Sequence, residues 1–431
     1  MNQSPNSEQE TPAPRSARTA LIIVFLVVFI DLLGFGIVIP LLPRYAEEYT
    51  KPLNYSESVS GLIIAVLYCS FSAMQFIFAP LWGRLSDRIG RRPVLLIGLA
   101  GSVLSYAAFG FASELGSQQA KLALMFMFLA RCGAGIAGAT IATAQAVIAD
   151  CTTRENRSRG MALIGAAFGI GFTFGPLIAW AGVSLAPQYR GGPGYLAAIL
   201  SLLAFIYGYV KLPETRVLGK SGEHRSWLNL RRLLETLYLP SIGSLVLIFF
   251  LATFAFAGFE GTLSLLTQKA LGYGEKSNYL LFAYIGFMLM LAQGYFYRKL
   301  SKTWDEIRLL RTGLILLFAG MVLISAITGF VEQIGKLAES LLPISFLFAL
   351  AVTVFGFAFL TPSVQALISR RSDPQRQGEV LGVNQSFSAL ARILGPLLGL
   401  SLQPFSLIAP YLFSAGLLVL VALLAQRLNR V

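Results

Sequence analysis

The strongest constraint on this chain is its alternation of long apolar runs with short, mostly basic connections. Twelve mostly apolar runs can be read in the 431 residues, and each reaches the length of about 20 residues that a helix needs to cross a bilayer. Hydrocarbon offers the backbone no hydrogen-bond partners, so such runs must be helical. The runs are 19–43, 58–82, 92–112, 121–149, 159–183, 191–212, 239–268, 277–300, 307–330, 341–369, 378–401 and 404–427. The sequence therefore predicts an all-α integral membrane protein with twelve transmembrane helices.

Composition and charge favour a membrane over water or nucleic acid as the protein's surroundings. The chain is 55% hydrophobic and 13% charged, whereas a soluble domain carries about 25% charged residues. Its mean hydropathy is +0.68. The net charge of +13 comes from Lys and Arg in alternate short loops, and loops of this kind remain on the cytoplasmic side. We therefore expect a multi-pass protein of a cell membrane with both termini in the cytoplasm, and no nucleic-acid partner.

The order of the runs predicts two halves joined by a charged linker. Residues 1–18 are polar and are expected to be a disordered cytoplasmic tail. Residues 19–212 and 239–431 each contain six runs, and the linker at 213–238 contains a short amphipathic stretch at 227–234. Gly171-x-x-x-Gly175-Pro176 in the fifth run is echoed by Gly395-Pro396-x-x-Gly399 in the eleventh. Paired six-helix bundles of this kind build a central site that faces either side of the membrane in turn.

Candidate catalytic and metal-binding groups are scarce in this sequence. The single histidine, His224, lies in the polar linker, and the cysteines Cys69, Cys132 and Cys151 are scattered in or beside the apolar runs. These residues show neither the spacing of a metal site nor that of a catalytic triad. We therefore expect a protein that is not an enzyme and that binds no metal or cofactor.

The segment 83–93 holds four arginines and one aspartate between two apolar runs. Charges at this density must lie in water at a membrane face, so a short turn is expected there. The segment resembles the signature loop between the second and third helices of the major facilitator superfamily. Two further stretches resemble motifs of that family: Arg131 with Gly135 and Gly138, and the stretch 171–176. The stretch 31–36 with Pro40 and Pro43 resembles the first helix of its tetracycline-exporter branch.

This resemblance implies roles for two groups of residues. The first would be a conformational latch between the halves, formed by Gly83, Asp87, Arg88, Gly90, Arg91 and Gly382. The second would be the antiporter motif associated with export, formed by Gly171, Gly175 and Pro176. Ser105 stands where tetracycline exporters have an acidic residue, and the eighth run has neither a histidine nor an acid. The resemblance thus implies the transporter class rather than tetracycline as the substrate.

Three charged residues inside the apolar runs are candidates for proton coupling: Asp31, Arg131 and Glu260. A carboxylate in hydrocarbon must be paired or protonated, so reversible protonation is its default functional interpretation. Asp31 could instead be a structural partner of Arg131. Glu260 could equally be a substrate contact, or a helix-end acid paired with Lys269.

Polar and aromatic side chains predict a substrate cavity between the halves. Arg131, Gly135, Gly138 and Gln145 lie on one face of the fourth helix, and polar side chains follow one face of the eleventh. The candidates for the cavity are Phe35, Gln75, Gln145, Phe172, Asn384, Gln385, Ser388 and Arg392, although helix packing would produce similar stripes.

The function expected from these residues is proton-coupled efflux of small amphipathic, drug-like molecules by a monomer in contact with membrane lipids. Two alternatives remain open. One is uptake or facilitated transport of an organic anion bound by Arg131 and Arg392. The other is lipid translocation.

Overall fold

The computed structural model describes residues 15–38, 42–153, 155–185, 188–216, 240–273, 275–334, 342–403 and 405–426, and every regular element within them is helical. The helices of the first half are α1 (Arg15–Val38), α2 (Leu42–Thr50), α3 (Glu57–Ile89), α4 (Arg91–Glu114), α5 (Ala120–Gly138), α6 (Ile141–Asp150), α7 (Arg157–Leu185) and α8 (Gly192–Lys211). Those of the second half are α9 (Pro240–Leu271), α10 (Glu275–Leu291), α11 (Glu306–Ile334), α12 (Leu342–Arg371), α13 (Gln377–Leu402) and α14 (Ala409–Gln426). Helix α10 continues through a π-helical turn, Ala292–Tyr297, into a last α turn, Arg298–Leu300.

These helices form the predicted twelve spans, because α5 and α6 together make the fourth span and α2 lies outside the first. Ten of the described spans are long and apolar enough to cross a membrane. The other two, α3 and α13, have 33 and 26 residues but carry more polar side chains. The protein is an all-α, twelve-helix membrane protein built from two six-helix bundles.

Several predicted boundaries were wrong. The first run, taken to residue 43, ends as a helix at Val38, and α2 follows as a separate short helix. The fourth run is broken at residues 139–140, where the chain makes a turn. The last two runs are separated by residues 403–408 rather than by two residues. Hydropathy indicates which residues lie in the hydrocarbon, and a helix can end before or beyond that boundary. It therefore does not locate these helix ends.

The turn predicted over 83–93 is almost entirely helical. Helix α3 continues to Ile89, and α4 begins at Arg91. Gly90 alone separates them, with φ +105°, a conformation that an L-residue rarely adopts. With 33 residues, α3 is about 50 Å long and exceeds the hydrocarbon core of about 30 Å. Its last two turns, including Asp87, therefore extend beyond the membrane as a rigid helix.

Helix packing defines the two halves and the surface where they meet. In the first half, α1 packs on α7 and α8, and α4 packs on α5 and α8; in the second, α11 packs on α12 and α9 on α13. The halves meet where α3 packs against α13 and α7 against α10, with smaller contacts of α6 with α13 and α7 with α12. We call the end of the bundle that carries the α3–α4, α6–α7, α10–α11 and α12–α13 connections the basic face.

The motif expected to carry export, Gly171, Gly175 and Pro176, packs against the first span. A Cβ at Gly175 would lie 2.6 Å from the carbonyl carbon of Gly36, and one at Gly36 would lie 2.7 Å from the Gly171 oxygen. These glycines therefore let α1 and α7 touch backbone to backbone. Helix α7 continues through Pro176 without a break.

The short helix α2 is fixed to the end of α4 opposite the basic face. The Tyr49 hydroxyl lies 2.9, 3.2 and 2.7 Å from the carbonyl oxygens of Ala112, Ser113 and Leu115, and only 3% of this tyrosine is exposed. The Tyr45 hydroxyl donates to the Arg190 carbonyl over 3.0 Å. Helix α2 thus closes the carbonyl end of α4 and holds the α7–α8 connection beside it.

Candidate functional site

The halves make their closest backbone contact near the basic face, between α3 and α13. A Cβ at Gly83 would lie 2.0 Å from the Gly378 carbonyl oxygen, and a Cβ at Gly382 would lie 2.7 Å from the Ala79 oxygen. A side chain at either position would force the helices apart. Glycine is therefore required for this contact, which α3 and α13 cannot otherwise make.

Asp87 joins the halves at this contact. Its carboxylate accepts hydrogen bonds from the backbone amides of Gly378, over 3.1 Å, and Glu379, over 2.7 Å, which are free donors at the start of α13. Arg91 donates to the same carboxylate over 2.5 Å. We call Gly83, Asp87, Arg91, Gly378 and Glu379 the charged latch. Burial raises the pKa of Asp87, against the opposing effects of Arg91 and the backbone amides.

Two of the residues expected in the latch have other positions. Arg88 is exposed, whereas Arg91, whose side chain is buried, pairs with Asp87. Gly90 lies on the far side of the turn, where a Cβ would lie 2.4 Å from a Glu214 carboxylate oxygen. Gly382 lies in the α3–α13 contact, as described above.

Sequence reasoning missed Glu214 and Arg216, which follow α8. The Glu214 carboxylate accepts from the backbone amides of Arg91 and Arg92 over 2.9 and 3.1 Å, so it caps the N-terminus of α4. Arg216 donates to Asp87 over 3.2 Å, and burial lowers the pKa of its guanidinium. The sequence places this segment in a linker, because nothing in its spacing identifies the helix that it caps.

Each half also has an ion pair at the basic face, and the two pairs have opposite polarity. In the first half, Arg91 at the start of α4 donates over 3.1 Å to Asp150 at the end of α6. In the second half, the acid comes first: Glu306 at the start of α11 accepts over 2.7 Å from Arg370 in the last turn of α12. The halves are therefore related in position but not in charge.

Further from the basic face, Arg392 of α13 reaches across to α3. Its guanidinium donates to the Gln75 side-chain oxygen over 3.0 Å and to the Ser388 hydroxyl over 3.1 Å. The Gln75 amide nitrogen in turn donates to the Gly138 carbonyl over 3.3 Å. Gln385 lines the same small cavity as Gln75, Gly138 and Arg392. Four of the predicted cavity residues, Gln75, Gln385, Ser388 and Arg392, thus meet between the halves.

Glu260 of α9 lies within electrostatic range of this cluster. Its carboxylate interacts with the Arg392 guanidinium, whereas Lys269, the partner considered from the sequence, is exposed. Neutral side chains accept the hydrogen bonds of Arg392, so Glu260 balances its charge from a distance. The cluster therefore contains an acidic and a basic group that attract each other across a distance.

Other predicted residues lie outside this cluster or outside what the structure describes. Arg131 is buried, with its Nε 3.4 Å from the Leu67 oxygen and its guanidinium 4.8 Å from the centre of the Phe71 ring. Gln145 and Asn384 are fully buried, and in the described residues neither has a hydrogen-bond partner. Phe172 stacks on Phe168. The side chains of Asp31 and Phe35, the tail at 1–14 and the predicted amphipathic stretch at 227–234 are outside the described part.

A model of the Major Facilitator Superfamily matches residues 24–342 and 334–429. The chain belongs to the major facilitator superfamily. It is 30% identical over 426 residues to human major facilitator superfamily domain-containing protein 10, which covers 89% of this chain and 87% of the relative. It is also 30% identical over 386 residues to the class E tetracycline resistance protein of Escherichia coli, with 89% and 86% covered.

A solved structure agrees with this assignment. The crystal structure of the human organic anion transporter MFSD10 matches with a TM-score of 0.78 and 26% identity, and the match covers 96% of this chain and 100% of that one. The protein is therefore a multi-pass major facilitator transporter of the tetracycline-exporter-like branch, and not an enzyme. Transporters of this superfamily bind small-molecule substrates and are typically monomers.

Proposed function

We propose that this transporter exports small amphipathic organic molecules in exchange for protons, by alternating access in a cell membrane. The observation that carries the proposal is the coupled pair Glu260–Arg392, placed where Arg392 also reaches Gln75 of the other half. A carboxyl group that can change its charge beside an inter-half hydrogen bond links protonation to the contact between the halves. The relationship to tetracycline resistance proteins supports the direction of transport.

The orientation follows from the basic loops, which by the positive-inside rule lie in the cytoplasm together with both termini. The charged latch then closes the cytoplasmic side. The arginines of this face also contact anionic lipid headgroups of the inner leaflet. Opening inward requires Asp87 to release the amides of Gly378 and Glu379.

The coupling step acts through charge balance. When Glu260 is ionised, it holds the Arg392 guanidinium electrostatically. When Glu260 takes up a proton from outside, that attraction is lost, and Arg392 depends on Gln75 and Ser388 alone. The proton is released when the site faces the cytoplasm, and binding of an amphipathic substrate follows. Asp31 is proposed as a second carrier in the other half because it is an acid in the first span.

The test uses purified protein in liposomes with an imposed pH gradient and a panel of cationic, neutral and anionic dyes. We expect gradient-driven movement of a cationic or neutral dye, and loss of the gradient dependence in Glu260→Gln. Glu155→Gln is the matched control, since Glu155 is an exposed acid of the α6–α7 connection. Unchanged gradient dependence in Glu260→Gln would overturn the assignment of this group.

Arg392 also supports a second candidate function, the transport of organic anions. Its hydrogen bonds go to neutral acceptors, so a substrate carboxylate could replace them with a stronger, charge-assisted interaction. Similarity to a human protein described as an organic anion transporter points the same way. In the same liposomes, an anionic dye that moves in wild type and Glu260→Gln but not in Arg392→Gln would establish this function instead.

A further inference from the structure

A second contact closes the basic face between α7 and α10, and it differs in chemistry from the charged latch. Three small residues of α7, spaced four apart, face α10: Gly165, Gly169 and Thr173. A Cβ at Gly169 would lie 2.4 Å from the Met290 backbone nitrogen, and one at Gly286 would lie 2.6 Å from the Thr173 hydroxyl. The two helices therefore touch backbone to backbone along this stripe.

The side chain of Gln293 fills the space left by Gly165. A Cβ built at Gly165 would lie only 1.1 Å from the Gln293 side-chain oxygen, so the amide occupies almost the exact place of the missing methyl group. Gln293 is 1% exposed, and among the described residues its side-chain oxygen has no hydrogen-bond partner. A buried polar atom without a partner destabilises the state that contains it. We call Gln293 and Gly165 the amide notch.

The backbone of α10 is specialised at this point. Gln293 is the second residue of the π-helical turn, Ala292–Tyr297. A π turn inserts one extra residue into a helix and changes the face on which the following side chains lie, and such turns concentrate at functional sites. Further along the turn, the Tyr297 hydroxyl is 2.9 Å from Ser363 of α12. The π turn therefore directs Gln293 toward α7. The C-terminal end of the turn is anchored through Tyr297 to α12 of the same half.

The amide notch and the charged latch both lie near helix ends at the basic face. Gly83 precedes the end of α3 by six residues, and Gln293 precedes Leu300 by seven. One contact joins the second and eleventh spans, and the other joins the fifth and eighth. Together they close the basic face on both sides of the inter-half surface.

We propose that the amide notch is a second gate of the basic face, in which Gln293 keeps closure reversible. Glycine at 165 allows the halves to pack closely, while the side-chain oxygen of Gln293, unpartnered among the described residues, lowers the stability of the closed state. When the halves separate, the amide leaves the notch and gains hydrogen bonds to water. The inference concerns the conformational equilibrium alone, so it is independent of the substrate and of proton coupling.

The test measures the distance between spin labels at Glu155→Cys and Lys302→Cys, two exposed positions on either side of the gate. A cysteine-free background is needed, since Cys69, Cys132 and Cys151 are all free thiols. We expect Gly165→Ala to increase the long-distance, open population, because its methyl group collides with Gln293. Adding Gln293→Ala should restore closure, because the colliding group is then gone.

Gly169→Ala is the matched control. Its methyl group meets the Met290 backbone, so Gln293→Ala should not rescue it. A third variant, Gln293→Met, keeps an unbranched side chain of similar length without the polar atoms, and it should raise the ratio of closed to open protein by about fivefold or more.

Two results would overturn the proposal. One is a double variant as open as Gly165→Ala alone, and the other is a Gln293→Met variant whose distances match the wild type. If Gly165→Ala does not fold, as judged by thermal unfolding in detergent, the Gln293→Met measurement decides alone. Transport assays enter neither comparison, so failure of the proposed function leaves this test intact.

Discussion

Replacing Gly83 with alanine tests whether the charged latch holds the halves together. A Cβ at this position would lie 2.0 Å from the Gly378 carbonyl oxygen, whereas ordinary contact begins at 3.4 Å. Since both atoms belong to helix backbones that cannot rotate away, α3 and α13 must separate locally by about 1.4 Å. This separation acts directly on the two hydrogen bonds that cross the latch.

Both hydrogen bonds are lost after such a shift. The amides of Gly378 and Glu379 now lie 3.1 and 2.7 Å from Asp87, and a further 1.4 Å or so takes both beyond the usual limit of about 3.2 Å. A hydrogen bond contributes about 0.5–1.5 kcal/mol net, and burial outweighs the charge assistance at Asp87, so the closed state loses roughly 1–3 kcal/mol. The ratio of closed to open protein should therefore fall by about fivefold or more.

The assay is double electron–electron resonance, which measures the distance between spin labels at Arg88→Cys and Asp373→Cys, two exposed positions beside the latch. The matched control is Gly416→Ala in α14, where an added Cβ meets nothing within 4 Å. We expect the control to keep the short distance of the wild type and Gly83→Ala to lose it. If the two variants give the same distance distribution, the latch does not hold the halves and the reasoning fails.

Three further predictions follow from other parts of the structure. Asp31→Asn should abolish gradient-driven dye transport in liposomes while leaving thermal unfolding unchanged; normal transport would remove Asp31 from the coupling scheme. Tyr49→Phe should lower the free energy of unfolding by about 1–3 kcal/mol, because the carbonyl groups around the buried hydroxyl lose the single proton that it donates among them; denaturation in detergent measures this, with the exposed Tyr55→Phe as control. Acidification should favour closure of the basic face. Burial in the closed state raises the pKa of Asp87 above its usual 3.8. The closed state therefore binds the proton more tightly than an open state in which Asp87 lies in water. The closed fraction measured with the latch labels should rise as the pH falls toward 4, and Asp87→Asn should flatten that slope; a fall in the wild type would contradict the sign.

The sequence was sufficient for the twelve spans and for the family, because both depend on long apolar runs and on a dense charged motif. It was also sufficient to select Gln75, Ser388 and Arg392, since a polar side chain in an apolar helix has few reasons to be there. Which of these residues meet depends on helix rotation and on contacts between distant spans. The partnership of Glu260 with Arg392 rather than Lys269 could therefore come only from the structure.

Other features left weaker signals in the sequence. Gln293 is a polar residue in an apolar run, but the π turn that directs it toward Gly165 has no pattern in the sequence. Glu214 is one acid among many in a charged linker, and its role depends on the N-terminus of α4 being nearby. The sequence does not reveal that α3 extends to Ile89, because its charged residues mark the end of the hydrocarbon and not the end of the helix.

The two ion pairs have opposite polarity, so the halves differ in where their charges lie although they share a fold. Glu306 at a helix start and Arg370 at a helix end agree with the partial charges of their helices, whereas Arg91 and Asp150 oppose them. In the second half, the ion pair therefore agrees with the charges of its helices. In the first half, the opposed pair is offset by Glu214, which caps α4, and by Asp87, which pairs with Arg91 and also bridges to the start of α13. We therefore expect the second half to behave as the fixed frame of the transport cycle and the first half to be the part whose basic end rearranges when the bridge is released.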